Sequence, residues 1–190
     1  MLKRTLDYCL VVFSLPTLLP LLLITFLIVK FTSAGPAFYW SKRVGRNNIL
    51  FDMPKFRSMK VETPALATHL LNQQANPSSY LTPVGSFIRK TSLDELPQLW
   101  SVLKGDMSIV GPRPALYNQD DLITLRTESG VHVLKPGITG WAQVNGRDEI
   151  PIPQKVVLDV FYLKHKSLWL DAKIIMLTVL KVIRRDNISH

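Results

Sequence analysis

The sequence is poor in three kinds of residue, and each shortage excludes a class of protein. It holds one cysteine, Cys9, so an internal disulfide and a disulfide-stapled secreted domain are excluded. The 4 histidines lie far apart, without the short spacings of a zinc site. Only 14 acidic residues oppose 23 lysines and arginines, and the net charge of +9 predicts an anionic partner.

The anionic partner is predicted to be a phospholipid or a phosphorylated substrate and not a nucleic acid. The basic residues do not gather in one run, and no nucleic-acid-binding motif occurs. No internal repeat is visible in the 190 residues, of which 47% are apolar. This length and composition predict one compact domain and a membrane element.

The membrane element is predicted near the N-terminus, where residues 8–29 carry no charge. As a helix this stretch would extend about 33 Å, which is enough to cross a bilayer. Pro16 and Pro20 fall inside it, and each removes a backbone hydrogen bond and bends a helix. Basic residues, which prefer the cytoplasmic side, flank both of its ends: Lys3, Arg4, Lys30, Lys42 and Arg43.

These features favour a re-entrant helix over residues 1–33 that breaks at Pro20 and returns to the same face, so that both of its ends are cytoplasmic. Two alternatives stay open. A plain transmembrane anchor has the same length, and Thr32-Ser33-Ala34 could pass for the cleavage site of a signal peptide. The apolar stretch is long for a signal peptide, and Lys30 interrupts it just before that site.

The remaining residues, 34–190, are predicted to form one membrane-associated domain on the cytosolic side, because nothing in them indicates a second folded domain. The overall fold class is α+β and mainly helical. A β-hairpin with a Gly/Asn turn is predicted over residues 38–51. Helices are predicted over 65–74, 92–103, 154–164 and 168–185, the second with a Ser92-x-x-Glu95 capping box and a stop at Gly105.

The last of these helices, over 168–185, combines apolar side chains with several basic ones. A basic amphipathic helix suits the membrane interface, and a core helix with a solvated basic edge would show the same periodicity. The sequence pattern leaves both interpretations open. The residues concerned are Leu170, Lys173, Ile174, Leu177, Lys181, Ile183, Arg184 and Arg185.

One of three adjacent acidic pairs stands in a context that indicates chemistry. Asp94-Glu95 lies between the upstream Arg89 and the rigid loop that contains Arg113, whereas a pair such as Asp120-Asp121 has no such surroundings. Pro114 pushes Arg113 out of helical backbone geometry, so this loop is predicted to be extended. Carboxylates among fixed cations suit the handling of phosphate groups.

Three long stretches of the chain resemble the monotopic, short-form polyprenyl-phosphate phosphoglycosyl transferases of the bacterial sugar transferase family. They are TSLDELPQLW at 91–100, LKGDMSIVGPRP at 103–114 and KPGITGWAQVNGR at 135–147. The resemblance extends from Lys3-Arg4 through residues 55–59 to residues 158–160, which is nearly the whole chain. It implies a minimal catalytic unit with a re-entrant helix and amphipathic interfacial helices.

The resemblance also implies a reaction. The Asp of the Asp-Glu pair, Asp94, would attack the β-phosphate of a UDP-sugar, UMP would leave, and the phosphosugar would pass to undecaprenyl phosphate. Asp94 and Glu95 would hold Mg²⁺, and Arg89 and Arg113 would contact phosphate oxygens. Arg57 is a further phosphate-binding candidate, and weaker site candidates are Asp159, Gln143 and Arg147. The family suggests an N-acetylated sugar, but the sequence does not identify it.

The same resemblance implies the cytoplasmic face of the bacterial inner membrane, with phospholipid as a further partner. Many members of the family carry Ser-Pro at the membrane bend, whereas this chain carries Leu19-Pro20, and Thr17 or Thr25 would have to replace the serine hydrogen bond. Two other functions stay open: a single-step transfer in a ternary complex, and a non-enzymatic membrane-tethered module that binds anions. The oligomeric state is open too, a homo-oligomer included.

Overall fold

A computed structural model of the protein describes residues 2–63, 80–146 and 150–184, and it is mixed helix and sheet with helices predominating. The strands are β1 (Phe38–Val44), β2 (Leu50–Phe56), β3 (Ser108–Val110) and β4 (Gly137–Thr139). The α-helices are α1 (Leu2–Thr32), α2 (Gly85–Lys90), α3 (Leu99–Lys104), α4 (Asp120–Glu128), α5 (Trp141–Val144), α6 (Ile152–His165) and α7 (Leu168–Arg184). Three-residue 3-10 turns occur at Arg46–Asn48 and Val131–Val133, and a 3-10 helix spans Leu93–Gln98.

The N-terminal helix α1 is, by length and composition, the one helix among the described residues that could span a membrane. Helical structure continues through Pro16 and Pro20. The break of the helix that the sequence predicted at Pro20 is therefore not found. Thr25 donates to the carbonyl of Leu21 at 2.8 Å. Because Pro20 frees the carbonyl of the residue four positions earlier, at Pro16, Thr25 does not replace the serine of other family members.

One side of α1 packs on the folded domain along its whole length. Val11 joins a core cluster with Met53 and Met107, and Val29 joins a second cluster with Phe56 and Ile88. Between its two ends the remaining helix surface is mostly apolar and exposed, and Phe13 and Phe31 are 81% and 83% accessible. An exposed apolar surface of this size is typical of a membrane-facing element.

The predicted hairpin is confirmed. Strands β1 and β2 pair antiparallel with Phe38 opposite Phe56 and Val44 opposite Leu50. Asn47 and Asn48 take positive φ angles of 55° and 60° in the turn, which asparagine tolerates better than most residues. The hairpin carries Lys55 near the end of β2, beside the predicted site.

The predicted helix over residues 92–103 is divided in the structure. A 3-10 helix covers Leu93–Gln98 and α3 follows at once, ending at Gly105 with φ +89° as predicted. The predicted capping box is wrong: Ser92 has a left-handed backbone conformation and makes no side-chain cap hydrogen bond. Pro97 lacks an amide hydrogen, so regular α-helical hydrogen bonding begins only after it.

A second, parallel pair of strands supports the loop that follows β3. Ser108 pairs with Gly137 and Val110 with Thr139. The amide of Gly111 donates to Thr139 at 2.8 Å, and the amide of Gly137 donates to Pro112 at 2.9 Å. A Cβ atom added at Gly137 would collide with the backbone of Gly111, so close backbone approach requires glycine there. These contacts fix the start of the Gly111–Pro114 loop.

The C-terminal helix α7 satisfies parts of both interpretations left open by its sequence. Leu170, Ile174 and Leu177 pack on the core, and Ile174 is fully buried. A second apolar set stays exposed: Trp169, Met176, Val179, Leu180 and Val182. The helix therefore has a core face and a separate apolar surface that suits a membrane interface.

The helices predicted over 154–164 and 168–185 are found as α6 and α7. The helix predicted over 65–74, Arg147 and Arg185 lie outside the described residues.

Candidate active site

The predicted acidic pair lies in the 3-10 helix, packed against strand β2. Asp94 is buried, with 8% of its surface accessible. Its neighbour Glu95 is largely buried too, at 12% side-chain exposure. The 3-10 helix contacts β2, α1, α2 and α3, and these elements hold both carboxylates inside the domain.

Two cations meet the carboxylate of Glu95 at the same oxygen. Lys55 Nζ lies 2.9 Å from Glu95 Oε1, and Arg113 Nη2 lies 3.1 Å from it. Lys55 comes from the hairpin and Arg113 from the loop after β3, so three separate parts of the chain converge here. The two ion pairs hold the buried carboxylate of Glu95 in one position and keep it charged.

The environment of Asp94 raises its pKa from 3.8 to about 6. Burial is the main cause, because it disfavours the charged form. The charge of Lys55 opposes the rise, Glu95 adds to it, and Arg89 and Arg113 oppose it. Arg89, the predicted cation before the pair, therefore acts on Asp94 as expected from its position at the end of α2.

Lys55 is affected in the opposite direction. Burial lowers the pKa of its ammonium group, and the charges of Glu95 and Asp94 partly restore it. Three cations thus surround two carboxylates in the described part of the site. The excess of cations over carboxylates gives the site a positive charge, which attracts an incoming anion.

A buried ion pair holds the backbone of Arg113. Arg126 donates from Nη1 to the Arg113 carbonyl at 2.8 Å. Its Nη2 and Nε donate to Asp159 Oδ2 at 2.7 and 3.0 Å. Asp159 is 1% exposed, and burial raises its pKa despite Arg126. Asp159, a weak candidate from sequence, therefore supports the site from behind and does not line it.

Helix α1 is tied to the strand that leads into this loop. Asp7 accepts hydrogen bonds from Ser108 Oγ at 2.7 Å and from the Ile109 amide at 3.2 Å. Lys3 lies 2.5 Å from Asp171 Oδ2 and donates to Tyr162 Oη at 3.0 Å. The N-terminal end of α1 is therefore attached to β3, α6 and α7.

The structure corrects the prediction for Arg57. Its guanidinium donates to the carbonyls of Ser33 and Ala34 and to Ser33 Oγ, at 2.6 to 2.8 Å. Arg57 is 4% exposed, so it holds the C-terminal end of α1 and is not placed to bind a substrate phosphate. Arg57 directly follows strand β2, and its hydrogen bonds go to the end of α1 and not to the acidic pair.

A groove opens beside the acidic pair. Glu95 and Arg113 line it, and so does Gln143, another weak candidate from sequence. The amide nitrogen and oxygen of Gln143 are both buried without a hydrogen-bond partner among the described residues. A buried amide without partners is costly, and such groups are often satisfied by a ligand or by water.

Sequence reasoning missed Lys55 and Arg126 as site residues. Lys55 occurs in the stretch shared with the family, but only the hairpin register brings it to Glu95. Arg126 lies in α4, where a basic residue reads as an ordinary solvated charge. A buried acid needs a buried cationic partner, and both Glu95 and Asp159 are such acids. A search for their partners is the signal that could have found Lys55 and Arg126.

The described residues contain no cluster of three or more His, Cys, Asp or Glu side chains that could hold a metal ion. Mg²⁺ does not require one, because proteins usually bind it through one or two carboxylates together with substrate phosphates and water. Asp94 and Glu95 supply two adjacent carboxylates. The donor set therefore fits Mg²⁺ in the presence of a phosphorylated substrate.

A buried carboxylate pair among cations, beside a groove that also contacts a long apolar helix, is typical of an enzyme that handles phosphate groups at a membrane. The model of the family described as bacterial sugar transferase matches residues 1–185. The chain therefore belongs to the bacterial sugar transferase family, and the predicted resemblance is confirmed.

The chain is similar to several curated members of that family. It is 42% identical to the sugar transferase EpsL of Bacillus subtilis (strain 168), over all of this chain and 91% of EpsL. It is 43% identical to the UDP-glucose:undecaprenyl-phosphate glucose-1-phosphate transferase of Xanthomonas campestris pv. campestris, over 95% of this chain and 38% of that protein. It is 40% identical to the undecaprenyl-phosphate galactose phosphotransferase of Salmonella typhimurium, over 98% of this chain and 41% of that protein.

The chain thus spans most of EpsL but only about two fifths of the other two relatives. The prediction of an enzyme, and not a non-enzymatic binding module, is confirmed by these matches.

Proposed function

We propose that this enzyme transfers a sugar phosphate from a UDP-sugar to undecaprenyl phosphate and releases UMP, with Asp94 as a covalent nucleophile. The observation that carries the proposal is the burial of Asp94 beside Lys55, Arg89 and Arg113. The names of the relatives from Xanthomonas campestris and Salmonella typhimurium support the same reaction.

In the first step, an oxygen of Asp94 attacks the β-phosphorus of the UDP-sugar. A bond forms between that oxygen and phosphorus, and the bond from the β-phosphorus to the bridging oxygen breaks. UMP leaves with the bridging oxygen and the electron pair of that bond. The product is a mixed anhydride between the Asp94 carboxyl group and the sugar phosphate.

Asp94 must be ionised to attack, and its pKa of about 6 permits this. At pH 7 about nine tenths of the carboxyl groups would carry charge, so no general base is required. The raised pKa also has a chemical benefit, because a more basic oxygen donates its electron pair more readily to phosphorus. Burial raises the basicity by limiting the solvation of the carboxylate, and the charges of Lys55, Arg89 and Arg113 keep the pKa below 7.

Charge repulsion is the main obstacle to this step. A carboxylate and a diphosphate oxygen about 4 Å apart repel by roughly 4 kcal/mol in a partly screened site. That repulsion alone would slow the attack about a thousandfold. Lys55, Arg89 and Arg113 offset it, and Arg113 lies where it can also meet a phosphate oxygen at the groove.

In the second step, a phosphate oxygen of the lipid attacks the phosphorus held by Asp94. The bond from phosphorus to the Asp94 oxygen breaks, and the carboxylate is regenerated. The product is a lipid diphosphate sugar. The same cations offset the repulsion in both steps, because in each step one negatively charged oxygen approaches the phosphorus and another leaves it.

Mg²⁺ is proposed as the cofactor, held by Asp94 and Glu95 together with the diphosphate. When bound it would neutralise charge on the diphosphate and on the leaving UMP. Glu95 already contacts Lys55 and Arg113, so its carboxylate is fixed in place before any ion arrives.

We also propose that α1 is re-entrant and that both of its ends lie on the cytoplasmic face of the inner membrane. Lys3 contacts Asp171 near one end of α1, and Ser33 contacts Arg57 near the other. A helix of 31 residues would extend about 46 Å if straight. Contacts of both ends with one domain favour a helix that lies in one leaflet over a perpendicular span.

Labelling of cysteines at the two ends of α1 tests this topology. In a Cys9→Ser background, Leu2→Cys and Thr32→Cys should both resist a membrane-impermeant maleimide in intact spheroplasts. Both should react after the membrane is permeabilised. Reaction of only one of them in intact spheroplasts would establish a transmembrane span.

The names of the relatives from Xanthomonas campestris and Salmonella typhimurium favour glucose or galactose as the transferred sugar over the N-acetylated sugar suggested by the family resemblance. Transfer assays with UDP-glucose, UDP-galactose and the two corresponding N-acetylhexosamine donors would decide among them. We expect one of the first two to give the highest kcat/KM.

The reaction itself is tested by omitting the lipid. Purified enzyme in detergent, given UDP-sugar labelled in the β-phosphate, should release UMP in an amount no greater than one per enzyme and retain label on the protein. Asp94→Asn should abolish both signals. A thermal unfolding curve of Asp94→Asn serves as the control for folding, because a variant that folds normally and lacks both signals has lost the chemistry alone.

The alternative of a single-step transfer in a ternary complex predicts a different result. UMP would then appear only after undecaprenyl phosphate is added, and the protein would stay unlabelled. Turnover that survives Asp94→Asn would reject the assignment of Asp94 as the nucleophile.

A further inference from the structure

The groove beside Glu95 is lined in part by two helices that carry exposed apolar surfaces. Helix α1 contributes Leu18, and α7 contributes Thr178, Lys181 and Val182. Leu96 and Leu99 line the same groove. The lining is therefore mostly apolar, with a small number of charged and polar side chains.

Both helices that line the groove carry exposed apolar residues next to it. Leu19 follows Leu18 on α1 and is 62% exposed, and Val179 on α7 is 51% exposed. The groove therefore borders surfaces that suit the membrane interior. A ligand with an apolar tail could enter it sideways from the bilayer without crossing water.

Positive charge is placed where such a ligand would carry its head group. Lys181 and Arg113 both line the groove. None of the ion pairs among the described residues involves Lys181. Gln143, whose amide lacks a partner among these residues, lines the same groove and offers two donor hydrogens.

We infer that this groove is the binding site of the lipid acceptor, with Lys181 and Gln143 holding the phosphate of a polyprenyl phosphate and Leu18, Leu99 and Val182 contacting its first isoprene units. The inference rests on the proposed function for the identity of the acceptor. A nucleotide sugar fits these walls poorly, because burial of its hydroxyl groups against apolar side chains would leave them without hydrogen bonds.

Steady-state kinetics with undecaprenyl phosphate in detergent micelles test the role of Lys181. Lys181→Met should raise the KM for undecaprenyl phosphate about tenfold, the effect of one lost charge-assisted contact. The KM for the UDP-sugar should change less than about twofold. Lys181→Arg should restore most of the affinity for the lipid, because a cation is kept.

Lys173→Met is the matched control. Lys173 lies on the same helix, is exposed and sits 5.7 Å over the ring of Trp141, outside the groove. It removes the same charge, so an equal rise in the lipid KM with this variant would indicate general attraction of anionic lipid and would overturn the inference. A rise confined to the UDP-sugar KM in Lys181→Met would assign the groove to the donor and overturn it too.

A second measurement does not depend on turnover. A polyprenyl phosphate with a diazirine near its phosphate end should label the residues around Leu18, Leu99 and Val182, as located by mass spectrometry of peptides. Labelling should weaken in Lys181→Met and stay unchanged in Lys173→Met. If the enzyme transfers sugar phosphate but the labels lie outside the groove, the inference is refuted and the proposed function stands. If the labels lie in the groove but the enzyme transfers no sugar phosphate, the proposed function is refuted and the lipid-binding groove stands.

Discussion

Replacement of Asp94 by asparagine is expected to stabilise the protein while it abolishes transfer. The fold keeps this carboxyl buried and raises its pKa from 3.8 to about 6. A raised pKa means that the folded state binds the proton more tightly than the unfolded state does. The associated stability is therefore present below pH 4 and is lost as the pH rises through 6.

The size of the effect follows from the two pKa values. Their difference corresponds to about 3 kcal/mol of unfolding free energy at pH 7, and roughly half of that at pH 5. An asparagine carries no charge at either pH and avoids this cost. For a protein of this size, about 3 kcal/mol corresponds to a rise in Tm of about 6 to 12 °C.

Thermal unfolding in detergent, followed by tryptophan fluorescence, measures the difference. Asp94→Asn should melt higher than the unaltered protein at pH 7, and the gap should shrink at pH 5. Glu95→Gln is the control with the opposite sign, since it leaves Lys55 and Arg113 without their carboxylate and should lower the Tm. A lower Tm for Asp94→Asn at pH 7, or a gap independent of pH, would refute the reasoning.

Three further predictions concern activity and the support of the site. UMP release without lipid should fall about fivefold between pH 6 and pH 5, since protonation of Asp94 with a pKa of about 6 removes the nucleophile, and a flat rate across this range would contradict it. Arg126→Met should lower the free energy of unfolding at pH 7 by about 3 to 5 kcal/mol in a denaturant titration, because Asp159, whose pKa burial already raises, stays buried without its cation, and an unchanged free energy would contradict it. Chelation by EDTA should stop UMP release and added Mg²⁺ should restore it, and release unaffected by EDTA would remove Asp94 and Glu95 as metal ligands.

Local signals in the sequence predicted the local parts of the fold. Gly105 ends α3 because glycine takes the left-handed conformation without strain, and Asn47 and Asn48 form the hairpin turn for a related reason. Such features depend on a few neighbouring residues. The predicted capping box at Ser92 failed because the backbone of Ser92 is left-handed, a conformation that serine seldom adopts and that the sequence pattern does not reveal.

The assembly of the site depends on contacts between distant residues, and most of it could not be predicted. Asp94, Glu95, Arg89 and Arg113 were found through a family motif and the short sequence distance between them. Lys55 reaches Glu95 across 40 residues, and its contact requires the register of the hairpin. No spacing rule in a single sequence encodes that register.

The two faces of α7 show a different limit of sequence reasoning. Ile174 and Val179 are equally apolar, but the first is fully buried and the second is 51% exposed. Periodicity identifies an amphipathic helix without telling which apolar residues meet the core and which meet lipid. Packing against β3 and β4 determines which apolar residues of α7 are buried, and this packing exists only in the folded chain.

The central claim is that Asp94 carries the sugar phosphate between donor and acceptor. The most direct test is mass spectrometry of enzyme that was incubated with UDP-sugar without lipid and quenched in acid. We expect an added mass of one sugar phosphate, located on the peptide that contains Asp94, and its disappearance when undecaprenyl phosphate is supplied. An adduct on another residue, or an unmodified protein that nevertheless transfers sugar phosphate when lipid is added, would contradict the account.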